Sequence, residues 1–308
     1  MKTIYVVGST NQDIVCIMDK FPSSGETLHG NDLKYFQGGK GANQAIAASN
    51  MDGNVNFISM IGNDAFGKEL KKYFDKIGLN NKLYISKTRP TGTAIINVNK
   101  EGNNNIVIIS GANAELTINL LDINPKKGDI LLIQNELSVD MVELLLSYGK
   151  KNDMITIFNC APAISIENFI DKIDYLIVNE HELSIALNLS NFNKDNIEDI
   201  KSTMSVFNKK NNLNIITTIG EKGVIANIDG IEYDIKGHKV NVVDTTGAGD
   251  CFCGTFVACL SKGWDINKCL LYANYASSIS IQKLGASTSC PNFNDIKNNI
   301  ENNIKKLN

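Results

Sequence analysis

Between residues 128 and 220, short apolar runs recur between stretches of helical character: ILLIQ at 130–134, ITIFN at 155–159, YLIV at 175–178 and IITTI at 215–219. This rhythm predicts an α/β fold with a mostly parallel central sheet flanked by helices. Most of the runs end at a polar residue or glycine, Gln134, Asn159, Asn179 and Gly220, and ligands bind at the carboxyl ends of strands in open parallel sheets. The first part of the chain reads differently. IYVV at 4–7 joins the main sheet, whereas TAIINVNKEGNNNIVIIS at 93–110 reads as two strands about an Asn/Gly turn. Together with 13–21 and 27–36, this hairpin predicts a small separate β-sheet, a lid inserted into a single domain spanning 1–308. Lids of this kind exclude water from reactive phosphates. Further on, VNVV at 240–243 reads as a strand, 244–249 as a loop and 251–260 as a helix. At the end of the chain, Ile296, Ile300 and Ile304 stand at helical spacing and predict an amphipathic helix without chemistry.

Composition narrows the classes of partner. The 308 residues are 43% hydrophobic and 20% charged, which suits a globular protein with a large core. Thirty basic and 33 acidic residues give a net charge of -3, without the basic excess that nucleic-acid binding needs, so small-molecule partners are expected. Seven cysteines without a C-x-x-C pair, and only three histidines, argue against a zinc site and a disulfide framework. MKTIYVVGSTNQD at the start reads as a first core strand rather than a signal peptide, and no apolar run approaches the ~18 residues of a membrane span. A cytoplasmic location follows as the expectation.

The candidate chemistry begins with VVDTTGAGDCFCG at 242–254. The first amides of a helix lack internal partners and the helix dipole adds positive charge there, so an anion fits against Gly247, Ala248 and Gly249, where glycine lets the backbone approach closely. Asp250 would repel that anion unless it takes a proton from a hydroxyl attacking phosphorus, which points to phosphoryl transfer. The segment alone equally allows a first-turn acid that only complements the dipole. Neither a G-x-G-x-x-G dinucleotide fingerprint nor a G-x-x-x-x-G-K-[ST] phosphate loop is present. Cys251 and Cys253 flank the turn, either as reactive thiols or as buried structural cysteines.

With GGKGANQA at 38–45, DTTGAGD at 244–250 and α/β units between them, the sequence resembles the ribokinase family of sugar kinases nearly end to end. GSTNQD at 8–13, PSSGET at 22–27, SGAN at 110–113, NCAPA at 159–163 and NEHE at 179–182 bring it closest to the members that phosphorylate ribose. The resemblance implies a ribokinase-like fold and ATP-dependent phosphorylation of D-ribose at O5, with Asp250 as general base and the 247–250 helix start as anion hole. It places Asn11 and Asp13 on the sugar hydroxyls, which two residues one strand step apart on one face can reach; capping a turn is the alternative for them. Gly39, Lys40, Gly41, Ala42 and Asn43 would line the sugar pocket, and Glu136 matches a carboxylate near the sugar, although its spacing alone also suits a solvated helix-start acid. A lysine in a glycine loop invites a phosphate role, but the resemblance assigns the Lys40 loop to the sugar.

For the nucleotide, the resemblance implies Asn179, the loop Thr218, Ile219, Gly220, Glu221, Lys222 and Gly223, Gly249, and Asn274 near adenine. Glu182 would act through water on Mg²⁺, which keeps most of its waters and needs few protein carboxylates. Family members that use K⁺ imply a site from Asp244 and the Thr246 carbonyl with the carbonyls of Ser280, Lys283 and Gly285 and the Ser289 hydroxyl; Asp244 as a turn cap is the alternative. Lys283 can contribute only its backbone oxygen, since an ammonium has no lone pair. The family further suggests a homodimer joined through the lid. Another sugar or nucleoside kinase of the family, acting on deoxyribose or a related pentose among others, is the rival reading, and a non-catalytic sugar-binding regulator is a second; the latter would ordinarily have lost Asp250 or the glycines.

Overall fold

The computed structural model describes residues 1–190 and 192–307, with side chains described to residue 300. In chain order, β1 (Thr3–Val7) leads to β2 (Asn11–Ile17), β3 (Asp32–Gly38) and helix α1 (Lys40–Asn50), then to β4 (Asn54–Gly62), α2 (Ala65–Lys76) and β5 (Asn81–Ser86). A hairpin of β6 (Gly92–Val98) and β7 (Asn104–Ile109) precedes β8 (Ile130–Gln134), α3 (Val139–Lys151), β9 (Ile155–Asn159) and β10 (Tyr175–Asn179). The remainder is α4 (Glu180–Ala186), α5 (Ile197–Asn211), β11 (Asn214–Thr218), β12 (Gly223–Ile228), β13 (Ile231–Lys236), α6 (Ala248–Ser261), α7 (Ile266–Ser280) and α8 (Phe293–Leu307).

Nine strands form one sheet in the order β13-β12-β11-β10-β9-β8-β1-β4-β5. Pairing is parallel from β11 to β5 and antiparallel between β11, β12 and β13 at one edge. Its central parallel strands, β1 and β8–β10, are buried on both faces, which is why they read as unbroken apolar runs. Ile4, Val6, Ile130, Leu132, Ile157 and Ile177 pack on the side of α1, α6 and α7. Their neighbours Tyr5, Val7, Leu131, Ile133, Phe158 and Val178 pack on the side of α3, α4 and α5. Ile296 and Ile300 of α8 are buried in the first of these clusters, as their spacing predicts, while the side chain of Ile304 lies outside the described residues.

A second sheet, in the order β3-β2-β6-β7, is the lid. Its hairpin turns where Asn99 accepts from the Asn103 and Glu101 amides and Gly102 adopts φ 82°. The first two lid strands are shorter than predicted, β2 beginning and ending earlier and β3 beginning and ending later, with residues 18–31 outside both strands. β2 pairs antiparallel with β3 and parallel with β6, so the lid is mixed rather than purely antiparallel.

One predicted strand is corrected. Residues 240–243 are not a strand, although valine is a strand former. The sheet ends at β13, so the segment has no partner strand; the amides of Val243 and Asp244 donate to the Ile281 carbonyl at the end of α7, and the Val242 and Val243 side chains are exposed. The main sheet also contains β4 and β5, which the sequence reading passes over.

What places the site is the contact of α1 with α6. A Cβ on Gly254 would lie 2.6 Å from the Ala47 Cβ, and one on Gly41 would lie 2.6 Å from the Gly8 carbonyl carbon. Small residues at these points let backbones approach closely. The start of α1 therefore meets the start of α6 over the carboxyl ends of β8 and β9.

Candidate active site

Helix α6 begins at Gly247, whose φ of 75° is left-handed and whose missing Cβ avoids the Ala286 Cβ that would stand 2.7 Å away. No side chain caps this helix start, and a Cβ on Gly249 would meet open space. The result is a helix N-terminus open to a cavity of about 230 Å³, lined among others by Lys40, Asn179, Glu182, Thr218, Gly249 and Asp250. Such an end attracts anions through its amides and its dipole. Ala248, expected to turn its amide to the anion, directs it at the Thr245 carbonyl at 3.2 Å instead, although the residue still lines the cavity.

Asp250, 6% exposed, projects from the first turn. Its Oδ2 accepts from Asn43 Nδ2 at 3.0 Å and its Oδ1 from Gln44 Nε2 at 2.9 Å. Both donors are neutral amides on α1. They hold the carboxylate in place.

Of the residues expected to hold the sugar, Asp13 lies near the same acid. Asp13, on β2, packs its carboxylate where a Cβ on Gly38 would collide with it. Burial, then the nearby Glu136 and Asp250 carboxylates, pushes the Asp13 carboxyl up to about 7. Asn11 accepts at Oδ1 from Asn113 Nδ2 at 2.8 Å, and Asn113 Oδ1 in turn accepts from the Thr10 amide at 3.0 Å, so the Asn11 amide is set by a second polar residue. Glu136 Oε2 accepts from the Ser9 hydroxyl at 2.6 Å and from the Lys40 amide at 3.2 Å, which ties the loop after β8 to the Gly39 turn. Gly39 has φ 91°, and a Cβ there would lie 2.7 Å from Thr10 Cα. Ala42 directs its amide to the Ser9 carbonyl and contributes no side-chain chemistry.

Lys40 belongs to both halves. Its backbone opens α1 beside the residues expected to hold the sugar, while the residue also lines the cavity at the start of α6. The Asp250 carboxylate, against the opposing effect of burial and with help from Glu136 and Glu182, holds its ammonium above the ordinary lysine range. A permanent cation therefore stands among three carboxylates. Asn179 and Glu182 form a reciprocal cap on α4: the Asn179 Oδ1 accepts from the His181 and Glu182 amides, and Glu182 Oε2 accepts from the Asn179 amide at 2.8 Å. Burial raises the Glu182 carboxyl even so, although the Asn179 amide and Lys40 oppose the rise.

Other predicted residues are placed elsewhere. Of the loop 218–223, only Thr218 lines this cavity; Ile219, Gly220, Glu221 and Lys222 line a separate one with Glu180 and Lys194. Gly223, at φ 106°, makes the turn into β12. Asn274 on α7 donates to the Lys236 carbonyl at 2.8 Å and ties α7 to the edge of the sheet. Asp244 accepts from the Thr246 amide at Oδ1 and from the Gly285 amide at Oδ2, both at 2.9 Å, so it joins its own turn to the loop that carries Lys283 and Gly285. Ser280 and Ser289 donate their hydroxyls to the Ser277 and Ala286 carbonyls. Cys251 and Cys253 are both buried, and burial raises the Cys253 thiol well above its ordinary range, which favours structural cysteine over a reactive thiol.

Five residues that the sequence reading gave no role, Ser9, Gln44, Asn113, Gln134 and Asn159, join this network. Gln44 stands among small residues in GGKGANQA, and a long polar side chain there is the one signal that pointed to it.

Known proteins share this fold over nearly its whole length. The profile of the pfkB family carbohydrate kinases matches residues 1–292. The chain is 36% identical over 298 residues to the ribokinase of Haemophilus influenzae, covering 94% of this chain and 95% of that protein. The crystal structure of ribokinase from Thermotoga maritima superposes with a TM-score of 0.87 at 34% identity, covering 98% of this chain and 100% of that one. The structure of Arabidopsis thaliana ribokinase complexed with ribose and ATP superposes with a TM-score of 0.84 at 28% identity, covering 96% and 98%. A carboxylate at an open helix N-terminus, beside a lysine and a second acid cluster, thus stands in a fold that its relatives share throughout, and the chain belongs to the pfkB family of carbohydrate kinases.

Proposed function

We propose that the protein transfers the γ-phosphoryl group of ATP to the 5-hydroxyl of D-ribose, giving ribose 5-phosphate and ADP. The observation that carries this reading is the position of Asp250: buried, held by two neutral amides, and placed between the Asp13 and Glu136 acids on one side and the amides of α6 on the other. Asn11, Asp13 and Glu136 bind and orient the sugar hydroxyls. Asp250 removes the proton of the attacking hydroxyl, and the Gly249 and Asp250 amides with Lys40 accept the charge that develops on the transferring group.

The residues present fit a magnesium ion that arrives on the nucleotide. Among the described residues no group of three His, Cys, Asp or Glu side chains forms a cage for a metal, whereas Glu182 lines the cavity with a carboxyl that burial pushes up, a rise that a cation there would oppose. Bound there, the ion would neutralise phosphate charge. The protein's free cysteines suit the reducing cytoplasm in which ATP is available. Among the described residues no helix is long and apolar enough to cross a membrane.

A monovalent cation, potassium, is proposed behind the anion-binding turn, held by Asp244 and the carbonyls of Thr246, Ser280, Lys283 and Gly285 with Ser289. The bond from the Gly285 amide to Asp244 supports it, because it already draws the two loops together. The ion would fix the turn rather than take part in the chemistry. ADP release measured over a panel of pentoses, hexoses and nucleosides tests substrate and cation in one experiment. Ribose is expected to lead the panel, with turnover several-fold higher in potassium than in lithium chloride at equal ionic strength, and Asp244→Ala is expected to abolish that difference. Preference for deoxyribose or a nucleoside would replace the substrate, no turnover with any of them would mark a sugar-binding regulator, and equal rates in both salts would remove the cation.

The lid supports a homodimer. β7 is exposed along its whole length, with Ile106, Val107, Ile108 and Ile109 each more than 40% accessible, and Leu33, Tyr35 and Ile95 extend the apolar surface across the sheet. Patches of this kind mark interfaces. Light scattering at micromolar concentration is expected to give twice the monomer mass, and Val107→Lys to return the monomer; a monomeric wild type would remove the dimer.

A further inference from the structure

Gln44 is fully buried inside the protein, yet three of its four hydrogen-bonding positions are used. Its Nε2 donates to Asp250 Oδ1 and to Asn159 Oδ1, each at 2.9 Å, and its Oε1 accepts from Gln134 Nε2 at 2.8 Å. Gln134 and Asn159 close β8 and β9 and stand opposite each other in the ladder. The base on α6 is thereby fastened, through one side chain of α1, to the ends of two central strands.

The polarity of this chain of amides is fixed at its far end. Asn159 Nδ2 donates to the Ile177 carbonyl at 3.0 Å, and a backbone oxygen can only accept. Asn159 must therefore turn its Oδ1 toward Gln44, and Gln44 must turn its NH₂ toward Asn159 and Asp250. Rotating the Gln44 amide by half a turn would set its oxygen against two other oxygens, at Asn159 and Asp250. An ordinary carboxylate-to-amide contact can slip; this one has a single arrangement.

We propose that Gln44 is a positioning residue for the phosphoryl-transfer base, holding Asp250 in one orientation as an acceptor by a hydrogen bond whose direction the Ile177 carbonyl sets through Asn159. The proposal rests on Asp250 being the base. Gln44 occupies one lone pair of Oδ1 and Asn43 one of Oδ2, so the acceptor directions that remain are those facing the cavity. Neither donor carries a charge or a transferable proton, so the carboxylate is oriented without being neutralised.

Gln44→Met keeps the length of the side chain and removes the donors. Loss of one hydrogen bond to a charged group, about 1.5–3 kcal/mol, corresponds to a fall in kcat of about 10- to 100-fold, with both KM values within about twofold of wild type. Gln44→Glu keeps the acceptor for Gln134 but turns an oxygen toward Asp250, and is expected to be slower than Gln44→Met, which a space-filling residue would not be. Adding Gln44→Met to Asp250→Asn is expected to change kcat by less than about threefold, because residues that act as a unit are not additive. Should Gln44→Met fail to fold, Asn159→Leu removes the polarity lock from the far end of the network and is expected to lower kcat by about 3- to 10-fold with KM unchanged. Gln44→Met or Asn159→Leu turning over as wild type, an equal loss in the presence and absence of Asp250, or Gln44→Glu as fast as Gln44→Met would each overturn the proposal. A fast Asp250→Asn would instead overturn the assignment of the base itself.

Discussion

Asp250→Asn is expected to bind ribose and ATP as the wild type does and to turn over ~10²–10⁴-fold more slowly, the usual worth of a general base. Shape is retained, because asparagine has the outline of aspartate. The α1 contact is disturbed: the new Oδ1 accepts from Gln44, and the new NH₂ faces the NH₂ of Asn43 until that amide, whose Oδ1 has no partner in the wild type, rotates to accept it. That local mismatch affects stability by the order of one hydrogen bond, about 1 kcal/mol, and not the binding of either substrate. Single-turnover kinetics with separately measured ribose and nucleotide affinities decides the matter. A variant within about threefold of wild-type turnover would show that the attacking hydroxyl loses its proton elsewhere.

How far the sequence carried this reading depended on whether a feature is local. β8 and β9 are found to the residue, because a strand buried on both faces is an unbroken apolar run. β5, NKLYIS at the edge of the sheet, carries no such signal, and β4 opens with Asn54 and Asn56. Residues 240–243 show the reverse error, since strand propensity without a partner strand does not make a strand. The open start of α6 was legible because Gly247, Gly249 and Asp250 are neighbours in the chain and a glycine turn before a helix is a local pattern. The restraint on Asp250 was not. It joins residues 43, 44, 134, 159 and 250, which meet only because α1 packs on α6 above the ends of β8 and β9, and no spacing rule connects positions so far apart. Lys40 was half legible: the motif gives its loop, while the direction of its side chain, toward the anion-binding turn, is a property of the folded helix start.

The second large effect concerns Asp13, whose ionisation opposes the fold while the proposed function requires it. Its carboxyl is pushed up to about 7 by burial and by Glu136 and Asp250, from an ordinary value of 3.8. Between these two values the folded protein holds a proton that the unfolded chain has released, so the stability this group contributes is fully present below pH 3.8 and is lost as pH rises through about 7. Asp13→Asn removes that loss. Its thermal midpoint is expected to exceed that of wild type by several degrees at pH 8, at roughly 2–4 °C per kcal/mol, and to match it near pH 4. Sugar binding should move the other way. The ionised carboxylate accepts from hydroxyls more strongly than an amide does, and loss of a charged acceptor worth about 1.5–3 kcal/mol raises KM for ribose by about 10- to 100-fold with KM for ATP unchanged. For the same reason the affinity of the wild type for ribose is expected to fall as pH is lowered below about 7, and that of Asp13→Asn to stay level. Thermal unfolding of both proteins at pH 4 and pH 8, with ribose titrations across the same range, reads both halves. A variant that binds ribose as wild type does, or one less stable than wild type at pH 8, would show that Asp13 is a structural acid of lid strand β2 and not the residue that holds the sugar.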